Sequence, residues 1–394
     1  MDISVEYLGK RFENPFVLAS GPPAANLDMI SRAFEAGWAG AVIKTLIREP
    51  VKNLHNRFAV NKINKKIMAF ENIELLSERT PEEWYVDIRL LKKRFPEKII
   101  IGSIMGDAKS DEHWIELSLG CQDAGVDFIE LNFSCPHGYP EKGKGSAIGQ
   151  SAEFSSKITG WLKDNRRITI PIIPKLTAAV PDISYIGEAV AKAGADGISA
   201  INTFPSLMGF DLHTLEPKAS VRGFTTAGGY SGPGLKPIAL RCVSQLVKSP
   251  GLPVMACGGV SSGYDAVEFI LLGAPIVQVC TSVMLQGYSI VSKMKEDLSQ
   301  FMSLHNFSTI QDFIRIGNKS ICQFSDLDKT YDVKVSIEPD KCNGCESCYV
   351  SCRDGGYQAI EMRDKLPFID ENKCQGCSLC FQVCPTGAIK IVEK

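Results

Sequence analysis

Two runs of four cysteines with one internal spacing confine the carboxyl-terminal end of this 394-residue chain more tightly than any other feature confines the rest. Cys342-x2-Cys345-x2-Cys348-x3-Cys352 is followed by Cys374-x2-Cys377-x2-Cys380-x3-Cys384, and Pro385 comes next. Thiolates at this spacing hold two [4Fe–4S] clusters in a crossed arrangement, three cysteines of one run acting with the fourth of the other. Cys342, Cys345, Cys348 and Cys384 are therefore expected on one cluster, and Cys374, Cys377, Cys380 and Cys352 on the other. Zinc is the competing metal, but zinc sites rarely take four cysteines in this order. Each run has a short β-like segment before it and another after it, YQAIEM and GAIKIV, which suits a pseudo-symmetric domain. Arg353, not proline, follows Cys352, a departure expected to matter only locally in the loop.

Fourteen cysteines in a small secreted chain would read as disulfides, but here eight fall in the two runs. Metal-ligand spacing of that kind argues for a reducing compartment. With 44% hydrophobic residues the chain can bury one large domain beside the small one. A net charge of −2 without a basic stripe speaks against nucleic acid and membrane surfaces as partners. The amino terminus, MDISVEYLGKRFENPF, lacks the apolar stretch of a signal sequence, and no apolar run approaches the ~20 residues of a membrane span. A cytoplasmic protein is expected.

Ahead of the cysteines, short apolar segments alternate with helical patterns. Strands are expected over residues 16–20, 40–45, 99–104, 128–134, 172–176, 197–202, 253–257 and 276–280. Between them, segments such as 182–193, 236–247 and 263–272 carry apolar residues at helical spacing. Junctions of the type Ala124-Gly125-Val126-Asp127 and Ala193-Gly194-Ala195-Asp196, and Ala36-Gly37, read as helix ends leading straight into the next strand. Eight such units fit an α/β fold, a parallel (β/α)8 barrel. An open doubly wound sheet is the alternative and needs fewer strands. The expected domains are a barrel over 1–302, a linking segment over 303–332 and the cluster domain over 333–394.

A barrel places its chemistry at the carboxyl ends of its strands. The fourth strand, in FIELNFSCPHG, ends on Asn132, Ser134 and Cys135 before Pro136, and a glycine-spaced loop follows to Gln150. Cys135 has no cysteine within four residues, which speaks against a local metal cage, and His137 is poorly placed to form a protease-like pair with it, so it is either a catalytic thiol or an inert buried one. Other strand ends carry Ser20-Gly21, Lys44-Thr45, Lys175, Asn202-Thr203, Gly258-Gly259 and Cys280-Thr281-Ser282. Gly258 and Gly259 after the seventh strand, with Thr281 and Ser282 after the eighth, match the usual phosphate site of such barrels. Lys44 and Lys175 end apolar strands, where an ammonium needs a partner. The electron-rich edge of a reduced flavin supplies one, and FMN has the single phosphate that the cradle requires. Lysines reaching out to the barrel rim are the plainer alternative.

Several features carry less. Gly143–Gly149 looks like a dinucleotide fingerprint but does not follow a strand, so a nicotinamide site in this chain is not expected. Cys121, Cys242 and Cys322 are expected in the core or at an interface. His55, His113, His213 and His305 show no partner pattern.

The whole chain resembles the dihydropyrimidine dehydrogenases, most specifically in NIELLSE (72–78), ELNFSCPHG (130–138), INTFPSLMGF (201–210) and GGYSGPGLKPIALR (228–241). The dihydroorotate dehydrogenases share the barrel, FMN and the N-x-S-C-P core, but usually have asparagine where His137 stands and lack a fused ferredoxin-like domain. The resemblance implies a dihydroorotate-dehydrogenase-type barrel with a carboxyl-terminal two-cluster ferredoxin-like domain. It implies Cys135 as the acid at C5 of uracil or thymine, and Asn72, Asn132, Ser134, Asn202 and Thr203 as pyrimidine contacts. Ser20, Gly21, Lys44, Thr45, Asn132, Lys175, Gly258, Gly259, Cys280, Thr281 and Ser282 correspond to FMN contacts. The lid Tyr139-Pro140-Glu141-Lys142 departs from the glycine- and methionine-rich form of the animal enzymes. An FAD- and NAD(P)H-binding partner subunit, or a free ferredoxin, is the implied electron source, in a heterotetramer or a homodimer.

Overall fold

The computed structural model describes residues 1–133 and 146–393 and divides into two compact units, Met1–Ile321 and Cys322–Lys394. The first unit is built on a closed barrel of eight strands. In chain order these are β1 (Phe16–Leu18), β2 (Gly40–Val42), β3 (Ile99–Ile104), β4 (Phe128–Asn132), β5 (Ile172–Leu176), β6 (Ile198–Ala200), β7 (Val254–Cys257) and β8 (Ile276–Val279). Each pairs in parallel with its neighbours, and β8 closes on β1 through Val277–Phe16 and Val279–Leu18. Strands covered on both faces must be apolar along their whole length, which is why these segments read as continuous hydrophobic runs. All eight expected strands are present, each within two residues of the expected ends except at the carboxyl end of β2, which stops three residues earlier.

The helix-to-strand junctions explain the regular pitch. Gly37 and Gly125 end their helices at φ 102° and 103°, and their N–H groups return to Ala33 and Cys121 carbonyls. That left-handed cap favours glycine because a Cβ is crowded there. The chain then turns into the next strand within a few residues.

The amino-terminal end of the barrel is plugged. The hairpin of Val5–Tyr7 and Lys10–Phe12 sets Phe12 parallel to Phe128 at 6.3 Å and Tyr7 edge-on to it at 6.0 Å. Tyr7 donates its hydroxyl to Pro253 O at 3.2 Å. The cavity described below lies at the other end, where the strands finish.

Over that open end lies a four-stranded antiparallel sheet absent from the strands expected above. Its order is Phe204–Ser206, Gly228–Ser231, Lys66–Asn72, Phe58–Ile63. It joins an excursion after β2 to one after β6, with Gly229 opposite Asn72. Residues 303–321, expected as the start of a linking segment, belong to the first unit, where Ile310 and Phe313 are buried. Cys121 and Cys242 are buried, whereas Cys322 is exposed.

The second unit has two antiparallel strand pairs, Val333–Ile337 with Ile389–Glu393 and Ile360–Arg363 with Leu366–Ile369. Its core is small: Val335, Ala359, Ile360 and Ile389 pack with Cys348, Cys374 and Cys380. So small an apolar core leans on bound metal for its stability. Among the described residues no helix is long and apolar enough to cross a membrane.

Candidate active site and cluster cages

The carboxyl ends of the strands surround a cavity of about 1070 Å³, measured with its open mouth. Every barrel residue singled out in the sequence lines it, apart from Ser134 and Cys135, which lie outside the described residues, as do His137 and most of the loop after it. Asn72 arrives from the antiparallel sheet; Asn132, Lys175, Asn202, Thr203 and the rest arrive from strand ends.

On one side the polar groups form a connected series. Asn202 Nδ2 donates to Asn132 Oδ1 at 3.1 Å, and Asn132 Nδ2 donates to Thr45 Oγ1 at 2.9 Å. The Thr45 hydroxyl lies 3.1 Å from Ser20 Oγ and 2.9 Å from Ser103 Oγ. Thr203 N–H donates to Asn202 Oδ1 at 2.8 Å. Holding each amide through a neighbour fixes which edge it turns to a ligand, since a buried amide must satisfy both ends.

The two lysines have protein partners. Lys44 Nζ is 2.7 Å from Glu74 Oε1, and Arg57 Nε reaches the same oxygen at 3.2 Å. Lys175 Nζ is 3.5 Å from Glu130 Oε1 and donates to Gln278 Oε1 at 2.9 Å. Gln278 Nε2 in turn donates to Glu130 Oε2 at 3.0 Å and Ser199 Oγ at 3.2 Å. The expectation that the lysines need a flavin to balance them therefore fails: Glu74 and Glu130 balance them within the protein. Burial pushes the Lys175 ammonium down, but Glu130, together with the neighbouring Cys257 and Cys280, outweighs this and holds it above the ordinary lysine value. Burial pushes the Cys280 thiol up to about 12, so it is neutral at physiological pH.

Glu74, Glu130 and Gln278 are the functional groups that the motif reading passed over. A signal was available for two of them: Glu130 and Gln278 interrupt the otherwise apolar strands FIELN and IVQV. An isolated polar residue in a doubly covered strand must face the barrel interior and find a partner there.

The opposite end of the cavity has the form of a phosphate cradle. Gly258 and Gly259 take φ of 128° and 76°, and a Cβ on Gly259 would stand 2.4 Å from Lys236 N. Only backbone fits there. The loop is tied down by Asp265, whose Oδ2 accepts from the N–H of Ser261 at 2.8 Å and of Ser262 at 2.9 Å, while Oδ1 accepts from Lys236 Nζ at 2.6 Å. On its other side Ser282 Oγ donates to Val260 O at 2.5 Å. A side-chain-free loop and hydroxyls at one end, with a cation and fixed amides at the other, fit the phosphate and ring of FMN.

In the second unit the cysteines surround two separate hollows. Cys342, Cys345, Cys348 and Cys384 line one; Cys352, Cys374, Cys377 and Cys380 line the other. These are the crossed sets. Among the described residues no three such ligands converge on a point that suits a single metal ion. Four thiols spread round a hollow suit a cluster instead. In each half the fourth cysteine accepts a backbone N–H: Ala359 N to Cys352 Sγ and Ala388 N to Cys384 Sγ, both at 3.3 Å.

The profile of the dihydroorotate dehydrogenase family matches residues 2–302, and that of a 4Fe-4S dicluster domain matches residues 335–391. The NAD-dependent dihydropyrimidine dehydrogenase subunit PreA of Escherichia coli is 39% identical over 92% of this chain and 88% of its own length. The catalytic subunit of dihydroorotate dehydrogenase B (NAD(+)) from Pyrococcus abyssi is 36% identical over 80% of this chain and 99% of its own length. Among solved structures, the dihydroorotate dehydrogenase of Eimeria tenella in complex with ferulenol shares the fold, with a TM-score of 0.66, 19% identity, and coverage of 80% of this chain and 88% of that one.

Fold and site thus define an oxidoreductase acting on CH–CH bonds, a flavoprotein barrel that carries FMN, joined to a domain with two [4Fe–4S] clusters. Within that class the chain belongs to the dihydropyrimidine dehydrogenase family.

Proposed function

We propose that this chain reduces the 5,6 double bond of uracil or thymine to the dihydropyrimidine, as the catalytic subunit of an assembly whose FAD-carrying partner oxidises NAD(P)H. The observation that carries this reading is the series Asn202–Asn132–Thr45, with Thr203 and Asn72 beside it in the same cavity. A pyrimidine-2,4-dione alternates N–H donors with C=O acceptors, and each asparagine amide offers one group of each kind. Lys44 and Lys175 already face Glu74 and Glu130, at 2.7 and 3.5 Å, an arrangement that suits a neutral ring better than one bearing a carboxylate.

Asn72, Asn132, Ser134, Asn202 and Thr203 hold the ring, and Ser20, Gly21, Lys44, Thr45, Lys175, Gly258, Gly259 and Cys280–Ser282 hold the flavin. FMN, when bound, exchanges hydride with C6 of the ring. Cys135 gives its thiol proton to C5 and takes another from solvent, so each turnover consumes two electrons and two protons. A neutral thiol suits this step because its proton leaves only in the transition state. The electrons enter through the two clusters from the partner, with a free ferredoxin as the other possible donor.

Dihydroorotate oxidation is the second reading, favoured by the 36% identity to the Pyrococcus subunit; that alignment leaves a fifth of this chain without a counterpart. Titrating the oxidised flavoprotein with uracil, thymine and orotate while following the flavin absorbance separates the two. Pyrimidine reduction requires saturable perturbation by uracil or thymine at lower concentration than by orotate. The reverse order establishes the second reading.

A further inference from the structure

The two halves of the cluster domain are related closely enough for their differences to be read residue by residue. Gly344 and Gly376 share φ of 69° and 66°, and a Cβ on either would meet a backbone carbonyl of the other half, Lys365 O at 3.1 Å and Val333 O at 2.4 Å respectively. Val333 and Lys365 are thus counterparts, and so are the next residues along, Lys334 and Leu366. One half therefore carries an ammonium where the other carries an alkyl group.

That ammonium is directed at a cluster ligand. Lys334 Nζ donates to Cys374 O at 2.6 Å and to Glu371 O at 2.7 Å. Both acceptors are uncharged carbonyls. Lys341, Lys373, Lys390, Arg353 and Arg363, by contrast, each face a carboxylate, whereas among the described residues Lys334 makes no such pair, nor does Lys365, whose backbone carbonyl lies against Gly344. Its charge is therefore uncompensated where it sits. A cluster gains one negative charge on reduction, with no bond made or broken, so a fixed cation beside it favours the reduced form.

We propose that Lys334 raises the reduction potential of the cluster held by Cys352, Cys374, Cys377 and Cys380, through a bond to a ligand's carbonyl that Leu366, at the matching position of the other half, cannot make. This side chain thereby adds to the difference between the two centres, and that difference biases where an electron in transit rests. The inference rests on the crossed cysteine sets, and iron content reports on that premise separately.

The test is a potentiometric titration of the full chain with both clusters in place, followed by electron paramagnetic resonance, in wild type, Lys334→Met and Lys334→Arg. Cys377→Ser, which perturbs only one set, identifies its midpoint. With iron content unchanged, Lys334→Met should make that cluster roughly tenfold harder to reduce, about 59 mV for a one-electron couple, leave the other midpoint in place, and be rescued by arginine. If methionine fails to retain both clusters, Lys334→Gln keeps a hydrogen-bond donor without the charge and reads the same quantity. Unchanged midpoints, equal shifts of both, or an arginine variant that behaves like methionine would each overturn the proposal.

Discussion

Lys175 and Glu130 face each other inside the barrel, Nζ to Oε1 at 3.5 Å, one 4% and the other 1% exposed. Lys175 and Gln278 line the cavity, and Gln278 bridges the pair by bonding to both partners. A cation at this depth persists because a carboxylate persists beside it.

Removing that carboxylate should cost stability and reverse a pH dependence. Lys175 is held above the ordinary lysine value, so its contribution is fully present below the unfolded lysine pKa, about 10.4, and is lost as pH rises through the folded value. In Glu130→Gln the main influence opposing burial is gone and burial pushes Lys175 down, so that variant should gain stability as pH rises toward 10. Melting curves from pH 7 to 11 should show opposite slopes, with the variant weaker by about 3 kcal/mol or more at neutral pH. Parallel curves would mean that Lys175 does not depend on Glu130.

The Asp265 clamp predicts a selective loss of cofactor affinity. Burial opposes ionisation of Asp265, but Lys236 and Ser261 outweigh it and hold the carboxyl below its usual range. Asp265→Asn weakens the bonds that fix the loop after Gly259 and should raise the dissociation constant for FMN about tenfold, roughly 1.4 kcal/mol. Riboflavin, which has no phosphate, should bind the variant nearly as it binds wild type. Equal losses for both ligands in fluorescence titrations would reduce Asp265 to a helix cap.

Asn202→Ala removes one amide from the polar series and leaves Asn132 Oδ1 without that donor. Loss of this amide should cost roughly 1–3 kcal/mol, a tenfold to hundredfold rise in the uracil dissociation constant, with FMN content unchanged.

Thiol reactivity should follow burial. Iodoacetamide at pH 8 should label exposed Cys322 and spare Cys121 and Cys280, whose pKa values burial pushes up to about 12. Labelling of Cys280 should rise only at strongly alkaline pH, and mass spectrometry of digests reads each site. Fast labelling of Cys280 at pH 8 would contradict its placement.

What the sequence made legible follows the range of the forces involved. Strands such as Ile99–Ile104 and Ile172–Leu176 are apolar throughout because helices and barrel interior cover both faces, and that pattern is local. The cysteine runs are equally local, since the ligand spacing is the structure. The sheet over the barrel mouth was not legible: Phe58–Ile63 is mostly exposed toward its end, and its partners come from residues far along the chain. The same holds for Glu74 with Lys44 and Glu130 with Lys175. Each member is visible in its own strand or loop, but the pairing exists only once the barrel closes.

The most direct test of the central claim is a single anaerobic turnover. The full chain with FMN and clusters is photoreduced, mixed with uracil, and followed by flavin absorbance and product analysis, in wild type and in Cys135→Ala. The account predicts rapid reoxidation with dihydrouracil formed in the wild type, and slowing of at least ~100-fold in the variant. Reduced flavin that persists in the presence of uracil and thymine, with FMN bound, would contradict it.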